Sequence, residues 1–187
     1  MTCIVAIETS DNNVILAGDY LGSDNFTKAV FTQSKIFNHS GMMFGYTSSF
    51  RFGQILECIL DDNTIYPPCN PDSTYEWLIR TFIPKLKSTL KTEESPCGEA
   101  IIVINSQVWQ LQGDFSVLRS TLGICSVGSG SYHATASVLS LILSECSGSL
   151  PSTEEAKRII DITYKVTSTC VTSVSEKYNI LEFKDLE

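Results

Sequence analysis

Short apolar runs alternate with polar turn residues at the start of the chain. Residues 4–7 (IVAI) and 14–17 (VILA) are apolar throughout, and residues 10–13 between them (SDNN) are of types that favour turns. The pattern predicts a β-hairpin of two buried strands.

The register of this hairpin determines which polar residues meet at its open end. With the turn centred near Asp11, opposed residue numbers in an antiparallel pair sum to about 22. Thr2 then lies opposite Tyr20, and Cys3 lies opposite Asp19. We therefore expect Thr2 and Asp19 to be neighbours, within one register step.

Helical periodicity of the apolar residues appears in four later segments. Helices are predicted from 48 or 49 to 60, from 73 or 74 to about 90, from 131 to about 146, and from 154 to about 168. Pro84 predicts a kink or a break in the second of them. Ser152 or Thr153, followed by Glu155, is typical of a capped helix start and marks the beginning of the fourth.

The remaining apolar runs predict strands at 35–37, 42–47, 100–105, 108–112, 123–127 and about 177–183, with polar connections at 21–32, 61–72 and 91–98. The order is strands, two helices, strands, two helices and a closing strand. It indicates an α+β fold in which two antiparallel sheets lie face to face with helices outside each. The length of 187 residues predicts a single domain over residues 1–187.

Composition and charge narrow the functional classes. The chain is 43% hydrophobic and 18% charged, which is typical of a soluble globular protein. Its 13 Lys and Arg against 21 Asp and Glu give a net charge of −8, which disfavours nucleic acid as a partner because phosphate contact needs cationic surface. No apolar run is long enough to span a bilayer, and the start lacks the features of a signal peptide. We therefore expect a cytoplasmic protein without a membrane partner.

Cysteine and histidine offer little material for a metal site. Seven cysteines are scattered along the chain without a CxxC pair, a pattern that favours reduced and mostly buried thiols. The chain has two histidines, His39 and His133. A His-rich metal site or a Ser-His-Asp triad therefore has little material to draw on. We predict no cofactor and no metal.

Thr2, Asp19 and Lys35 together are candidates for nucleophilic catalysis. A Thr hydroxyl needs a base, and with no histidine nearby the candidate base is the α-amine of the chain. The cation of Lys35 would lower the pKa of that amine from its reference value of about 7.7, and Asp19 would orient Lys35 by a charge-assisted hydrogen bond. Each residue also has an ordinary interpretation, since many chains begin Met-Thr and strand-end Asp and Lys residues are commonly structural or solvated.

The motifs of the chain, in their order, resemble the proteasome β-subunit family. The order is MTCIVAI, then LAGD, SKIF, MFGYTSSFRFGQ and finally VGSGS. It looks most like the bacterial HslV-type peptidases and their small phage and bacterial relatives, which are N-terminal-nucleophile (Ntn) hydrolases. The resemblance covers nearly the whole chain and implies a four-layer αββα sandwich. It also implies a peptide or protein substrate, ring-shaped homo-oligomers and an ATP-dependent unfoldase as a partner.

The resemblance also assigns roles to individual residues. Thr2 would be the nucleophile after removal of Met1, with Asp19 and Lys35 as supporting charges. Ser129, within the GSG of residues 128–130, matches the family serine that bonds near the amine of the nucleophile, although a serine in a glycine turn before a helix is an equally good structural interpretation. The backbone amide of Ser48 falls where the family has a glycine that serves as the oxyanion donor.

Three features depart from the family pattern and leave alternatives open. Ser48 replaces that glycine, and residues 167–172 contain no carboxylate where the family places a late Asp, so that Ser168 or a neighbour would be the substitute. Retention of Met1 would convert the amine of Thr2 into an amide and remove the base. The sequence therefore predicts a threonine-type peptidase, with an Ntn amidase of small acyl-amides as a related possibility. A catalytically inactive proteasome-like binding or assembly protein is the alternative from another class.

Overall fold

The computed structural model describes residues 2–23, 28–30, 33–60, 65–91 and 98–183. The strands are β1 (Ile4–Glu8), β2 (Val14–Asp19), β3 (Leu21–Ser23), β4 (Lys28–Val30), β5 (Ile36–His39), β6 (Met42–Tyr46), β7 (Ala100–Ile104), β8 (Gln107–Leu111), β9 (Val117–Arg119), β10 (Ile124–Val127) and β11 (Tyr178–Phe183). The α-helices are α1 (Phe50–Leu60), α2 (Thr74–Trp77), α3 (Ile83–Leu90), α4 (Ser131–Glu145) and α5 (Thr153–Cys170). A π-helical segment, Leu78–Phe82, joins α2 to α3.

Two antiparallel sheets form the centre of the fold. One has the strand order β10-β1-β2-β11, and the other is a meander in the order β5-β6-β7-β8-β9. In the first hairpin Ile4 pairs with Gly18 and Ala6 with Leu16. This is the register that the turn at Asp11 predicts, and it is confirmed.

Side chains alternate across the four-stranded sheet, and each face supports a separate apolar layer. Val5 and Ile7 of β1 pack with α4 and α5, whereas Ile4 and Ala6 point to the opposite face. Period-two alternation of this kind is what a strand buried on both faces requires. The first sheet is therefore covered by helices on one side and by the second sheet on the other.

The second sheet shows the same alternation. Phe44 and Ile102 belong to the layer packed with α1, α2 and α3, while Met43 and Ile101 join the layer between the two sheets. Three apolar layers thus separate four layers of secondary structure, in the order helices, sheet, sheet, helices. The prediction of an α+β, αββα sandwich is confirmed.

The chain around Pro84 is helical without a break, although its turn pattern changes just before the proline. A proline ring lacks an N–H and crowds the carbonyl four residues earlier, here that of Arg80. The chain accommodates this with the wider π turn of Leu78–Phe82, so that Leu78, Phe82 and Leu86 remain on one buried face.

Several other predictions need correction. The segment 21–32, predicted as an irregular connection, contains the paired strands β3 and β4, although residues 24–27 and 31–32 lie outside the described residues. Strand β9 was not predicted, because its three residues are too few to show alternation. The connections at 61–72 and 91–98 fall partly on 61–64 and 92–97, which also lie outside the described residues.

The cysteines are less buried than predicted. Cys3 and Cys125 are buried, but Cys58, Cys69 and Cys170 are exposed, and Cys146 is intermediate. Cys97 lies outside the described part of the chain. No helix within the described residues is long and apolar enough to cross a membrane.

We expect Ser152→Ala to lower the free energy of unfolding by about 1 kcal/mol. Ser152 begins α5 with the predicted capping box, in which its hydroxyl accepts the amide of Glu155 and the Glu155 carboxylate accepts the amide of Ser152 at 2.8 Å. The matched control is Ser149→Ala at an exposed position in the same loop, with a change below about 0.5 kcal/mol. Urea unfolding measures both variants, and equal losses in the free energy of unfolding would contradict the capping role of Ser152.

Candidate active site

Thr2 and Asp19 meet at the open end of the first hairpin. Thr2 immediately precedes β1, Asp19 is the last residue of β2, and both side chains are buried. The Thr2 hydroxyl donates a hydrogen bond to Asp19 Oδ1, which also accepts the amide of Cys3 at 3.2 Å. The other oxygen of Asp19 accepts the amide of Ser175 at 3.3 Å. The carboxylate is therefore fixed by the backbone of two separate segments.

Lys35 completes this cluster from the other sheet. It directly precedes β5, and only 4% of the residue is exposed. Its Nζ donates to Thr2 Oγ1 at 2.5 Å, to Asp19 Oδ1 at 2.8 Å and to the carbonyl of Leu21. An ammonium has three N–H donors, so every donor of Lys35 has a partner.

Burial shifts the pKa values of Lys35 and Cys3 in opposite directions, and the charge of Asp19 raises both. Burial lowers the pKa of the Lys35 ammonium, and the charge and hydrogen bond of Asp19 act against that decrease. Burial raises the pKa of the adjacent Cys3 thiol to about 12, with Asp19 as the second cause. Cys3 is therefore a protonated thiol at neutral pH, and the Thr2 hydroxyl is the candidate nucleophile that contacts the Lys35 cation.

The backbone of Thr2 is held from the side of β10. Ser129 Oγ donates to the Thr2 carbonyl at 3.2 Å, and the amide of Gly130 donates to the same oxygen at 3.3 Å. Gly128 has φ of +94°, and a Cβ there would lie 2.4 Å from the Thr2 carbonyl oxygen. The glycine is thus required both by its backbone conformation and by the close approach of Thr2.

Ser48, the predicted backbone donor to the oxyanion, has a glycine-like conformation. It follows β6 and adopts φ of +75°, a conformation that favours glycine. Its hydroxyl lies 3.1 Å from that of Thr47. The structure thus gives Ser48 a backbone conformation that favours glycine.

Ser168 or a neighbour is the predicted substitute for the late carboxylate. Ser168 Oγ donates within its own helix, to the Lys165 carbonyl at 3.1 Å. Ser173, after the end of α5, places its hydroxyl 2.9 Å from that of Ser129. The sequence reasoning missed Ser173, and it missed Ser175 beside Asp19.

The pairing of the last strand explains why these serines reach the site. Tyr178, the first residue of β11, lies opposite Asp19 in the four-stranded sheet. Residues just before it must therefore pass close to Asp19. A prediction of which strand β11 pairs with would have identified Ser173 and Ser175.

Glu99 is a further residue that the sequence reasoning missed. Its backbone carbonyl accepts the amide of Thr47 at 2.9 Å, and its carboxylate accepts the amide of Gly128 at 3.3 Å. It therefore connects the segment that carries Ser48 to the turn that carries Ser129. Within the described residues, no group of three or more His, Cys, Asp or Glu side chains is arranged to hold a metal ion.

The fold is that of the proteasome-like Ntn hydrolases. BPH from Thiobacillus denitrificans, solved in complex with epoxomicin, superposes with a TM-score of 0.76 at 14% identity, over 96% of this chain and 97% of that one. Eukaryotic HslV from Trypanosoma brucei gives 0.71 at 15% identity, over 96% and 98%. A Gly-1 mutant of Anbu from Hyphomicrobium sp. strain MC1 gives 0.72 at 13% identity, over 96% and 80%. No protein-family profile and no curated protein sequence matches the chain.

We expect Asp19→Asn to destabilise the protein in a pH-dependent way. The substitution leaves the buried Lys35 ammonium without its anion, a change that costs about 3–5 kcal/mol. Without Asp19, burial lowers the pKa of Lys35 further. The unfolded chain then binds more protons than the folded chain between that lowered pKa and about 10.4, so stability rises with pH in this window. The loss relative to the unsubstituted protein should therefore shrink from neutral pH toward about pH 10.

Asp161→Asn is the matched control. Asp161 pairs with Lys165 at 2.6 Å on the surface of α5, with side-chain exposures of 46% and 57%. The stability loss of Asp161→Asn should remain below about 1 kcal/mol and should not diminish between neutral pH and about pH 10. Urea unfolding at two pH values measures both variants. If the stability loss of Asp19→Asn is the same at both pH values, the coupling to Lys35 is contradicted.

Proposed function

We propose that this protein is a threonine-type peptidase, an Ntn amide-bond hydrolase whose nucleophile is Thr2 after removal of Met1. The observation that carries the proposal is the contact of the Thr2 hydroxyl with both a buried ammonium and a buried carboxylate. A hydroxyl without a catalytic role has no need of two buried charges, which are costly to desolvate. The proposed catalytic residues are Thr2, Asp19, Lys35 and Ser129.

The proposed reaction begins with the free α-amine of Thr2 as the general base. The amine takes the hydroxyl proton while Thr2 Oγ1 attacks the carbonyl carbon of a peptide bond. Lys35, which donates to Thr2 Oγ1, stabilises the negative charge that develops on this oxygen. Asp19 keeps Lys35 charged and oriented, because its charge and its hydrogen bond raise the pKa that burial lowers.

The tetrahedral intermediate places its negative charge on the former carbonyl oxygen. The backbone N–H of Ser48 is the proposed donor to this oxyanion. The C–N bond then breaks, and the α-ammonium returns the proton to the departing amine, which leaves an ester on Thr2. A water molecule, deprotonated by the same amine, hydrolyses that ester and regenerates the hydroxyl.

Ser129 is proposed to hold the reacting residue in position. Its hydroxyl and the Gly130 amide both donate to the carbonyl of Thr2, which restricts rotation of the residue that supplies nucleophile and base. A hydroxyl and an amine on the same residue need such restraint to keep their geometry.

A second candidate function is a catalytically inactive proteasome-like binding or assembly protein that retains Met1. The burial of Thr2, of which 1% is exposed, favours this candidate because a nucleophile must be reached by its substrate. The serine at position 48, in place of a glycine, favours it as well. The state of the amine of Thr2 separates the two candidates.

We expect an intact mass without Met1 and one covalent adduct on Thr2 after incubation with a peptide epoxyketone. That warhead needs both a Thr hydroxyl and a free α-amine, and BPH, a structural neighbour, was solved with epoxomicin. Thr2→Ala should abolish the adduct and any peptidase turnover. Thr9→Ala, a buried threonine beyond the opposite end of β1, should retain both. Retained Met1 without an adduct would instead support the binding or assembly protein.

Substrate profiling separates a peptidase from an Ntn amidase of small acyl-amides. Turnover of peptides of several residues supports the peptidase, whereas turnover limited to small acyl-amides supports the amidase. Both use the same Thr2 chemistry, so this assay follows the labelling experiment.

We also propose that the chain is a single domain that acts in the cytoplasm and self-associates, with a ring as the expected arrangement. An ATP-dependent unfoldase is the proposed partner. A cluster of exposed apolar side chains, Leu122, Leu143 and Leu150, surrounds a surface cavity beside Gly123 and supports burial against another surface. Native mass spectrometry should give a multiple of the chain mass. A monomer at micromolar concentration would contradict self-association.

A further inference from the structure

Glu99 lies beside the turn at Gly128, which is in close contact with Thr2. It directly precedes β7, in which Ile101 and Val103 face the layer between the sheets. Side chains two residues apart share a face of a strand, so Glu99 continues this row beyond the end of β7. Burial, with the charge of Glu99 as a second cause, raises the pKa of the inter-sheet thiol of Cys125 to about 12, which agrees with a carboxylate close to β10.

Two segments that carry proposed catalytic groups are bonded to this one residue. The Thr47 amide, adjacent to Ser48, donates to the Glu99 carbonyl at 2.9 Å, and the Gly128 amide, adjacent to Ser129, donates to Glu99 Oε2 at 3.3 Å. The first bond uses the backbone, and the second depends on the length of the side chain.

The surrounding backbone leaves little tolerance for movement. Gly98 has φ of +109°, and a Cβ there would lie 3.0 Å from the carbonyl oxygen of Thr47. On the other side, Gly128 is in such close contact with Thr2 that a Cβ at this position would lie 2.4 Å from the Thr2 carbonyl oxygen. A shift of Glu99 is therefore transmitted to both segments by direct contact.

We propose that Glu99 is a positioning residue that fixes the distance between the Ser48 amide and the Gly128–Ser129 turn on which Thr2 rests. The inference rests on the proposed peptidase function. The relevant property of Glu99 is the reach of its hydrogen-bond acceptor to Gly128. The negative charge and any contact with substrate side chains are secondary.

Two substitutions separate reach from charge. Glu99→Gln keeps the length of the side chain and an acceptor oxygen but removes the charge, whereas Glu99→Asp keeps the charge and loses one methylene of reach. The assay is the kinetics of epoxyketone labelling, with kinact and KI determined separately. We expect Glu99→Asp to lower kinact by at least about tenfold, since small displacements of reacting groups cost that much or more. Glu99→Gln should stay within about threefold of the unsubstituted protein in kinact, and KI should change little in both.

Glu8 supplies the matched control. Its carboxylate also accepts a backbone amide, that of Val108 at 2.8 Å, but Glu8 lies at the opposite end of β1 from Thr2. Glu8→Gln and Glu8→Asp should leave kinact unchanged. Thermal unfolding of all four variants shows whether a loss of labelling reflects a loss of folded protein, and the comparison of Gln with Asp at position 99 remains informative if one of them is less stable.

The outcomes distinguish this inference from the function on which it rests. Impaired Glu99→Asp with near-normal Glu99→Gln supports the positioning role. Equal impairment of both, impairment of Glu99→Gln alone, or a change confined to KI for basic peptides overturns it in favour of a charge or specificity role. Labelling of both at the rate of the unsubstituted protein also overturns it. If the unsubstituted protein, shown to lack Met1, is not labelled, the proposed peptidase function fails and this inference fails with it.

Discussion

The ion pair of Lys35 with Asp19 is withdrawn from solvent, and the arrangement around Thr2 depends on it. Desolvation of each ion in a protein costs roughly several kcal/mol. Buried charges of this kind are therefore tolerated only when each of their hydrogen-bonding groups has a partner. Here the ammonium uses three donors, and the carboxylate accepts the amides of Cys3 and Ser175 and the hydroxyl of Thr2. The pair is therefore stable only when four segments of the chain are in place.

The layered fold brings these segments together. Asp19 is the end of a strand in the four-stranded sheet, and Lys35 precedes a strand of the five-stranded sheet, so their contact crosses the space between the sheets. The inter-sheet layer is otherwise apolar, formed by side chains such as Ile4, Leu16 and Ile36. Packing of that layer fixes the separation of the sheets, and this separation determines whether the ammonium reaches the carboxylate. Core packing and the geometry of the site are thus coupled.

The parts that sequence reasoning could predict are those governed by local rules. The pairing of Thr2 with the region of Asp19 follows from a short turn, since the turn sets the register of its two strands. Ser173 and Ser175 reach the site through the pairing of β11 with β2, and Ser175 lies 156 residues from Asp19 along the chain. Glu99 is similar, because its contact with Gly128 depends on how the two sheets face each other. Local patterns contain no information about such long-range contacts.

The late segment of this chain lacks the further carboxylate that the family resemblance implies, and this affects the chemistry that the proposed site can support. A carboxylate near the amine of Thr2 would stabilise its ammonium form and raise its pKa. Two neutral hydroxyls 2.9 Å apart can restrain the Thr2 carbonyl without adding negative charge. The nearby carboxylate of Glu99 accepts a backbone amide, and that of Asp19 is neutralised by Lys35. On the proposed mechanism, the loss of the late carboxylate therefore favours the neutral amine, which is the form that acts as the base.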